Sequence, residues 1–376
     1  MPIGLDDLRR FAVARSLFAP TTLERALERF GFVQADPIRS PARAQDLTMR
    51  HRVDGYRAGD LERRYSALGI EEDVFINYGF VTAGVHALMH PRRIVPAWPS
   101  GGRRRSERLL AFVSERGAVH PREAHERFAH GTVTNYWGGS SNATTHLLDA
   151  LHYRGLLRVA GRRSGIRIYA ARERGPFVLD KATVRARVDA LIDVVVGLYA
   201  PLPRPCLAWT AGRLRYAVPQ WHGELKAGIR RAFDRLSHAR VDGVDWFWPA
   251  GERPEEAGSV DAVRLLSPFD PVVWDRRRFE LLWGWAYRFE AYTPVVKRKL
   301  GYYALPLLWR DRVIGWGNVS ARNGEVHAEF GFVGSGKPAG RAFTRALEQE
   351  LERMRTFLAN EEDLPAAPAA AARRPR

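Results

Sequence analysis

Apolar positions recur at helical spacing from Leu5 to Phe18, where Leu5, Leu8, Phe11, Ala12 and Leu17 share one face. Pro20 ends that predicted helix, Thr21 or Thr22 is placed to cap a second one over Leu23 to Phe30, and Gly31 closes it. Phe32 to Ile38 is apolar and β-prone, and Pro41 to Val53 reads as a third helix with Arg43, Arg50 and Arg52 on its polar faces. The stretch Tyr56 to His90 is mixed and helical in parts, with Glu71-Glu72-Asp73 expected in solvent. Pro96 to Arg105 breaks the pattern and marks a linker. Glu107 to Arg116, Pro121 to Phe128 and Ser141 to Arg154 then read as helices, with a turn region over Gly131 to Gly139. Leu156 to Tyr169 alternates like a hairpin, with Gly161 and Gly165 flanking its tip. Three helices and a basic hairpin predict a winged helix-turn-helix, whose third helix enters the major groove while its wing meets the backbone or minor groove.

Lys181 to Leu236 is another helical set, and Val241 to Pro249 follows it as the end of a third, degenerate copy of the same plan. The character changes from Val263 onward. Leu265 to Pro271 predicts a buried strand running into a turn, Tyr302 to Val319 a β-meander around Arg310-Asp311-Arg312, and Gly340 to Leu358 a closing helix. Leu364 to Arg376, rich in Pro and Ala, reads as a disordered tail. The expectation is an α+β protein of tandem winged helix-turn-helix domains with a C-terminal β-barrel-like domain. Its divisions fall at residues 1–98, 99–178, 179–258, 259–360 and 361–376.

Composition narrows the function. The 376 residues leave room for roughly two to four domains. Lys and Arg total 59 against 42 Asp and Glu, a formal charge of +17 that attracts polyanions such as DNA, RNA or an anionic membrane. The bland alternative is an Arg-rich surface from GC-rich coding. The single cysteine, Cys206, rules out a disulfide within the chain and a Cys-based zinc cluster. The N-terminus lacks the apolar core of a signal peptide, and no apolar run reaches the length of a membrane span. A soluble, cytoplasmic, nucleoid-associated bacterial protein is expected, with no obligate protein partner.

The candidate chemistry centres on Phe32-Val33-Gln34-Ala35-Asp36-Pro37-Ile38. In an extended chain, period 2 puts Gln34 and Asp36 on one face. Such a pair can hold one water and bias it toward a cationic carbon. Cleavage of an N-glycosidic bond passes through an oxocarbenium-like state that a carboxylate stabilises. The bland alternative is that Asp36 caps a turn before Pro37 and Gln34 is merely exposed. On the predicted wing, Arg158, Arg162, Arg163 and Arg167 are candidates for phosphate contacts, the alternative being a solvated basic edge. The turn Asn135-Tyr136-Trp137-Gly138-Gly139-Ser140 is a candidate for base stacking, or else packs into its own module. His86 and His90 share a helix face without an evident third ligand, so no metal site is expected. Tyr287 to Tyr303 combines aromatics with Lys297-Arg298-Lys299, a DNA-facing surface or a solvated cluster over core aromatics. The chain has no P-loop, dinucleotide fingerprint or Gly-x-Ser-x-Gly.

The run Gly31-Phe32-Val33-Gln34-Ala35-Asp36 resembles the Gln-x-Asp/Gln-x-Gln segment of the AlkZ/YcaQ family of winged-helix DNA glycosylases. Trp137-Gly138-Gly139-Ser140, Leu266-Ser267-Pro268-Phe269-Asp270, and Glu290-Ala291-Tyr292 through Lys297-Arg298 to Gly301-Tyr302-Tyr303 are similar to other segments of that family. The resemblance implies tandem winged helices and a β domain around a DNA channel. It implies monofunctional hydrolysis of alkylated purine nucleotides in double-stranded DNA, without metal or cofactor. Its Asp form looks like the branch that removes N7-alkylguanine and unhooks interstrand crosslinks. By position, Gln34 and Asp36 become the catalytic pair, and the family's DNA-binding hairpin falls on Arg162 and Arg163; with Arg43, Arg50, Arg158, Arg167, Lys297 and Arg298, read from the chain itself, they make the expected DNA-binding set. One departure stands out: after Val313-Ile314-Gly315 the family commonly shows Arg, then an acidic and a basic residue, where this chain has Trp316-Gly317-Asn318-Val319-Ser320. The rival from another class is a non-catalytic winged-helix DNA-binding protein or transcriptional regulator.

Overall fold

The computed structural model describes residues 2–92, 98, 102–134, 139–173, 178–322, 325–334 and 336–359. The predicted tail and Asn135-Tyr136-Trp137-Gly138 lie outside them.

The first helix runs Leu5–Ser16 and buries Leu8, Phe11 and Ala12. The second runs Leu23–Phe30; the Thr22 side chain accepts from the Arg25 amide, and Gly31 closes it at φ 69°. Helix and caps therefore form where the spacing placed them. The apolar run after Gly31 forms the strand Phe32–Gln34, which pairs antiparallel with Tyr78–Thr82. That strand also pairs with Ile70–Val74 on its other side, so it is the centre of a three-stranded sheet. Gly79 sits opposite Gln34, and a Cβ there would lie 2.3 Å from the Val33 carbonyl oxygen, so only glycine admits this approach. The helix predicted over Pro41 to Val53 contracts to Ala44–Met49.

The expectation that Glu71-Glu72-Asp73 lies in solvent is wrong. All three are in the strand Ile70–Val74, and Glu72 and Asp73 are buried. Burial of two carboxylates is tolerable because cations come with them. Arg162 forms a two-pronged bond to Glu72, and Arg92 meets Asp73.

Two further units repeat one order: helix, short strand, helix, helix, hairpin. The first comprises the helix Gly102–Arg116, strand Ala118–Val119, helices Pro121–Phe128 and Ala143–Tyr153, and the hairpin Leu157–Arg163/Ile166–Ala171. The hairpin takes the short strand onto its second arm to make three strands. Its leading helix begins at Gly102, inside the stretch read as linker. The second comprises Lys181–Tyr199, Leu202–Pro203, Arg204–Gly212, His222–Arg235 and the hairpin Ser237–Val241/Val244–Trp248.

The C-terminal part is an antiparallel sheet in which Val263–Leu265, Leu305–Trp309, Arg312–Arg322 and Glu325–Phe332 are neighbours in that order. Among the described residues it is an open four-stranded sheet, not a closed barrel. Helix Arg341–Leu358 covers it with Phe343, Ala346, Met354 and Phe357. Apolar packing is continuous from Leu8 through Val195 and Trp246 to Phe357, so the units share a core.

One buried ion pair ties the first helices to the C-terminal part. The Arg52 guanidinium grips Asp270 through two bonds of 2.7 and 3.0 Å, with both side chains fully enclosed. Its other N–H groups donate to the Ser16 and Thr48 carbonyls and the Ser16 hydroxyl. This satisfaction of every face is what makes a buried charge pair sustainable. Asp270 in turn organises the turn leading to Trp274, whose amide donates to the Asp270 carbonyl at 2.8 Å.

Candidate active site

Gln34 and Asp36 stand at the open end of the strand Phe32–Gln34. The ladder extends one residue further, the Ala35 amide donating to the Tyr78 carbonyl. The two side chains are held very differently.

The Gln34 carboxamide oxygen accepts two hydrogen bonds, from Asn77 Nδ2 at 2.9 Å and from Trp274 Nε1 at 2.7 Å. Asn77 Oδ1 itself accepts from Arg213 at 2.5 Å, while Arg213 Nε donates to the Ile76 carbonyl at 2.8 Å. Guanidinium and indole N–H groups are donors only. Arg213 therefore fixes which end of Asn77 is oxygen, and Asn77 together with Trp274 fixes the same for Gln34. Among the described residues the Gln34 amide N–H groups are the free end. They are donors, oriented by three residues from three other parts of the chain.

Asp36 is half-buried. Gln45 Oε1 accepts from its backbone amide at 3.3 Å, and its Oδ1 accepts from the Ile38 amide at 2.9 Å. The turn-capping alternative is thus realised, but through one oxygen. Among the described residues Oδ2 has no hydrogen-bond partner, and no cation lies within ion-pair distance. Burial pushes the Asp36 pKa up, only partly countered by the Ile38 amide. The same carboxylate raises the pKa values of Tyr292 and Tyr303, behind the larger effect of their own desolvation, so the loop Tyr292–Tyr303 faces it. Asp36 lines a cleft of about 340 Å³ with Arg43, Tyr78, Thr145, Arg162 and Arg167. A larger concavity of about 620 Å³, lined by Arg39, Arg63 and Arg355 among others, touches neither Gln34 nor Asp36.

The cations expected to meet DNA divide into groups. Arg50 is buried, paired with Glu350 and donating to the Leu265 carbonyl at 3.1 Å; it braces the C-terminal helix and is corrected from a DNA contact to a structural one. Arg162 needs the same correction, because its guanidinium neutralises the enclosed Glu72 through two 2.7 Å bonds. Arg43 is largely buried against Glu62. Arg158 and Arg167 are partly exposed beside Glu71 and Asp149. Arg163 is exposed on the hairpin, and Lys297 is exposed on the loop Tyr292–Tyr302. Arg298 donates to the Thr293 carbonyl and lies over the Tyr302 ring.

His86 and His90 do find a third group. Asp73 Oδ2 lies 2.7 Å from His90 Nε2 and 3.5 Å from His86 Nε2. The other Asp73 oxygen holds Arg92 at 2.9 Å, and this enclosed guanidinium already supplies the positive charge the carboxylate needs. Burial pushes the His90 pKa down to about 4, so a neutral imidazole donates to Asp73. The cluster reads as a structural lock. At the departing strand position, Asn318 Nδ2 donates to the Leu300 carbonyl at 2.8 Å and so braces the loop that faces Asp36. Trp316 stacks on Trp285 above Gly331, where no Cβ fits.

The family model described as DNA glycosylase AlkZ-like matches residues 27–357. The chain belongs to the AlkZ-like DNA glycosylase family. Its substrate is therefore DNA and its reaction class base excision. The structure is similar to that of Streptomyces sahachiroi DNA glycosylase AlkZ, with a TM-score of 0.62 at 15% identity, covering 95% of this chain and 97% of that one. At that identity the likeness concerns the fold. Among the described residues no helix is long and apolar enough to cross a membrane.

Asn77, Arg213 and Trp274 were missed by sequence reasoning. Only Trp274 had a nearby signal, four residues beyond Asp270 of the Leu266–Asp270 segment. Asn77 in a hairpin turn and Arg213 among many arginines carry none.

Proposed function

We propose that this glycosylase hydrolyses the N-glycosidic bond of N7-alkylated purines in double-stranded DNA, crosslinked ones included, with Gln34 and Asp36 as its catalytic pair. The two helix–hairpin units act as winged helices that hold the duplex. What supports the reading most is that the fixed N–H donors of Gln34 stand two residues from a half-buried carboxylate with an open oxygen.

A water held there accepts from Gln34 and donates to Asp36 Oδ2. Its remaining lone pair is available to C1′ of the deoxyribose. As the C1′–N9 bond breaks, its electron pair neutralises the cationic purine, which needs no strong general acid. The ionised Asp36 steadies the sugar as it becomes positive and takes the proton when the water oxygen bonds to C1′. Its raised pKa makes it a better acceptor than a solvated carboxylate. The product is an abasic site with the strand intact, the outcome of a monofunctional enzyme. A crosslinked base cannot leave the duplex freely, so deep extrusion of the base is not part of the scheme.

The test is DNA carrying 7-methylguanine, incubated with protein and then heated in alkali to cut abasic sites. Wild-type protein is expected to produce scission only after alkali. Asp36→Asn is expected to lose on the order of 10²-fold or more in rate while binding DNA normally, and Gln34→Ala to lose rate as well. Unchanged scission by Asp36→Asn would remove that residue from the mechanism. The regulator reading predicts instead a strong preference for one sequence and indifference to both substitutions.

A further inference from the structure

Trp209 is an anomaly of placement. It lies on the helix Arg204–Gly212 with 55% of its surface exposed, while most tryptophans with comparable ring contacts here are buried or half-buried. Nothing in the packing of its helix requires it, since Cys206, Leu207, Thr210 and Ala211 already fill the buried face. Its surroundings connect it to Gln34 twice over. Its ring centroid is 5.5 Å from that of Trp274, whose Nε1 holds the Gln34 oxygen. The Arg213 guanidinium lies 5.4 Å from the Trp209 ring centre and also orients Asn77, the second donor to Gln34. Tyr216, 41% exposed, extends the aromatic surface, with Arg213 5.7 Å and Arg215 4.5 Å from its ring centre.

An exposed indole backed by a second indole and flanked by guanidinium groups is the arrangement that stacks a nucleobase while attracting the phosphates on either side of it. A buried hydrophobic partner protein would not select for the two arginines. Trp274 is one ring away from the amide proposed to hold the attacking water, so the platform stands beside the proposed reaction centre. We propose that Trp209 is a stacking platform for a nucleobase of the bound DNA, adjacent to the lesion, with Arg213 and Arg215 serving its flanking phosphates. The proposal rests on the placement of the reaction at Gln34 and Asp36 and adds a subsite to it.

The subsite is tested with a duplex containing a tetrahydrofuran abasic analogue and 5-iodouracil at each neighbouring position on either strand, irradiated with the full-length protein and mapped by mass spectrometry. A crosslink to Trp209 is expected from one of these positions. Trp209→Ala is expected to weaken binding of the same duplex by roughly 5- to 150-fold, the loss of one base–aromatic stack, with Trp209→Phe restoring most of it and the thermal midpoint unchanged in both. Crosslinks that form only elsewhere, or a Trp209→Ala protein that binds as tightly as wild type, overturn the platform. The two readings fail separately. A protein that crosslinks through Trp209 yet frees no 7-methylguanine overturns the Gln34/Asp36 chemistry and keeps the platform; base release that is indifferent to Trp209 does the reverse.

Discussion

The hairpin Leu157–Arg163/Ile166–Ala171 and the loop Tyr292–Tyr302 are both rich in cations, yet the hairpin pairs all of its candidate arginines but Arg163 with acids, while the loop's basic cluster has no such partners among the described residues. On the hairpin, Arg158 faces Glu71, Arg162 clamps Glu72 and Arg167 meets Asp149. On the loop, Lys297, Arg298 and Lys299 have no carboxylate at ion-pair distance among the described residues. Glu290, which precedes the loop, uses its carboxylate on the backbone amides of Lys299, Leu300 and Gly301. Arginine density along a sequence is therefore a poor measure of the field a DNA backbone meets. The location of the acidic partners decides it, and two of them, Glu71 and Glu72, come from a strand far away in the chain.

The contrast is broken most forcefully at Arg162. Arg162→Ala leaves the enclosed Glu72 without its cation, and about 3–5 kcal/mol of stability should disappear in urea unfolding, while the salt dependence of DNA binding barely moves. A stable variant with a shallower salt slope would turn the hairpin back into a phosphate surface. Next in size is a pH effect at Asp36, which the loop faces. Because burial raises this pKa, and the group must be ionised to act, single-turnover base release should fall about tenfold per pH unit on the acid side. That limb should lie above the pH of a solvated carboxylate; a rate flat down to about pH 4 would contradict it. On the loop, Lys297→Ala should flatten the plot of log affinity against log salt by about 0.9 and leave the thermal midpoint alone. The smallest change is expected at Arg158, half-exposed beside Glu71: Arg158→Ala should cost less than about 1 kcal/mol, visible only as a minor shift in urea midpoint.

Much of the fold was legible in the sequence where it is governed by local rules. Thr22 and Gly31 delimit their helix as capping chemistry requires, and the helices and hairpin of the middle unit fall near their apolar periods. What escaped was set by distant partners. Three consecutive acids looked solvated because Arg162 and Arg92, which permit the burial of Glu72 and Asp73, are remote in sequence. Arg50 looked available because nothing near it announces Glu350. The same limit applies to the site. Gln34 and Asp36 stood out through their motif, whereas the residues that decide which end of the Gln34 amide faces outward come from three other segments.

The indole that orients Gln34 is supplied 240 residues downstream, from a turn anchored on Arg52 by Asp270. A chain still emerging from the ribosome, even one long enough to have folded both helix–hairpin units, lacks one of the two donors that fix the Gln34 carboxamide.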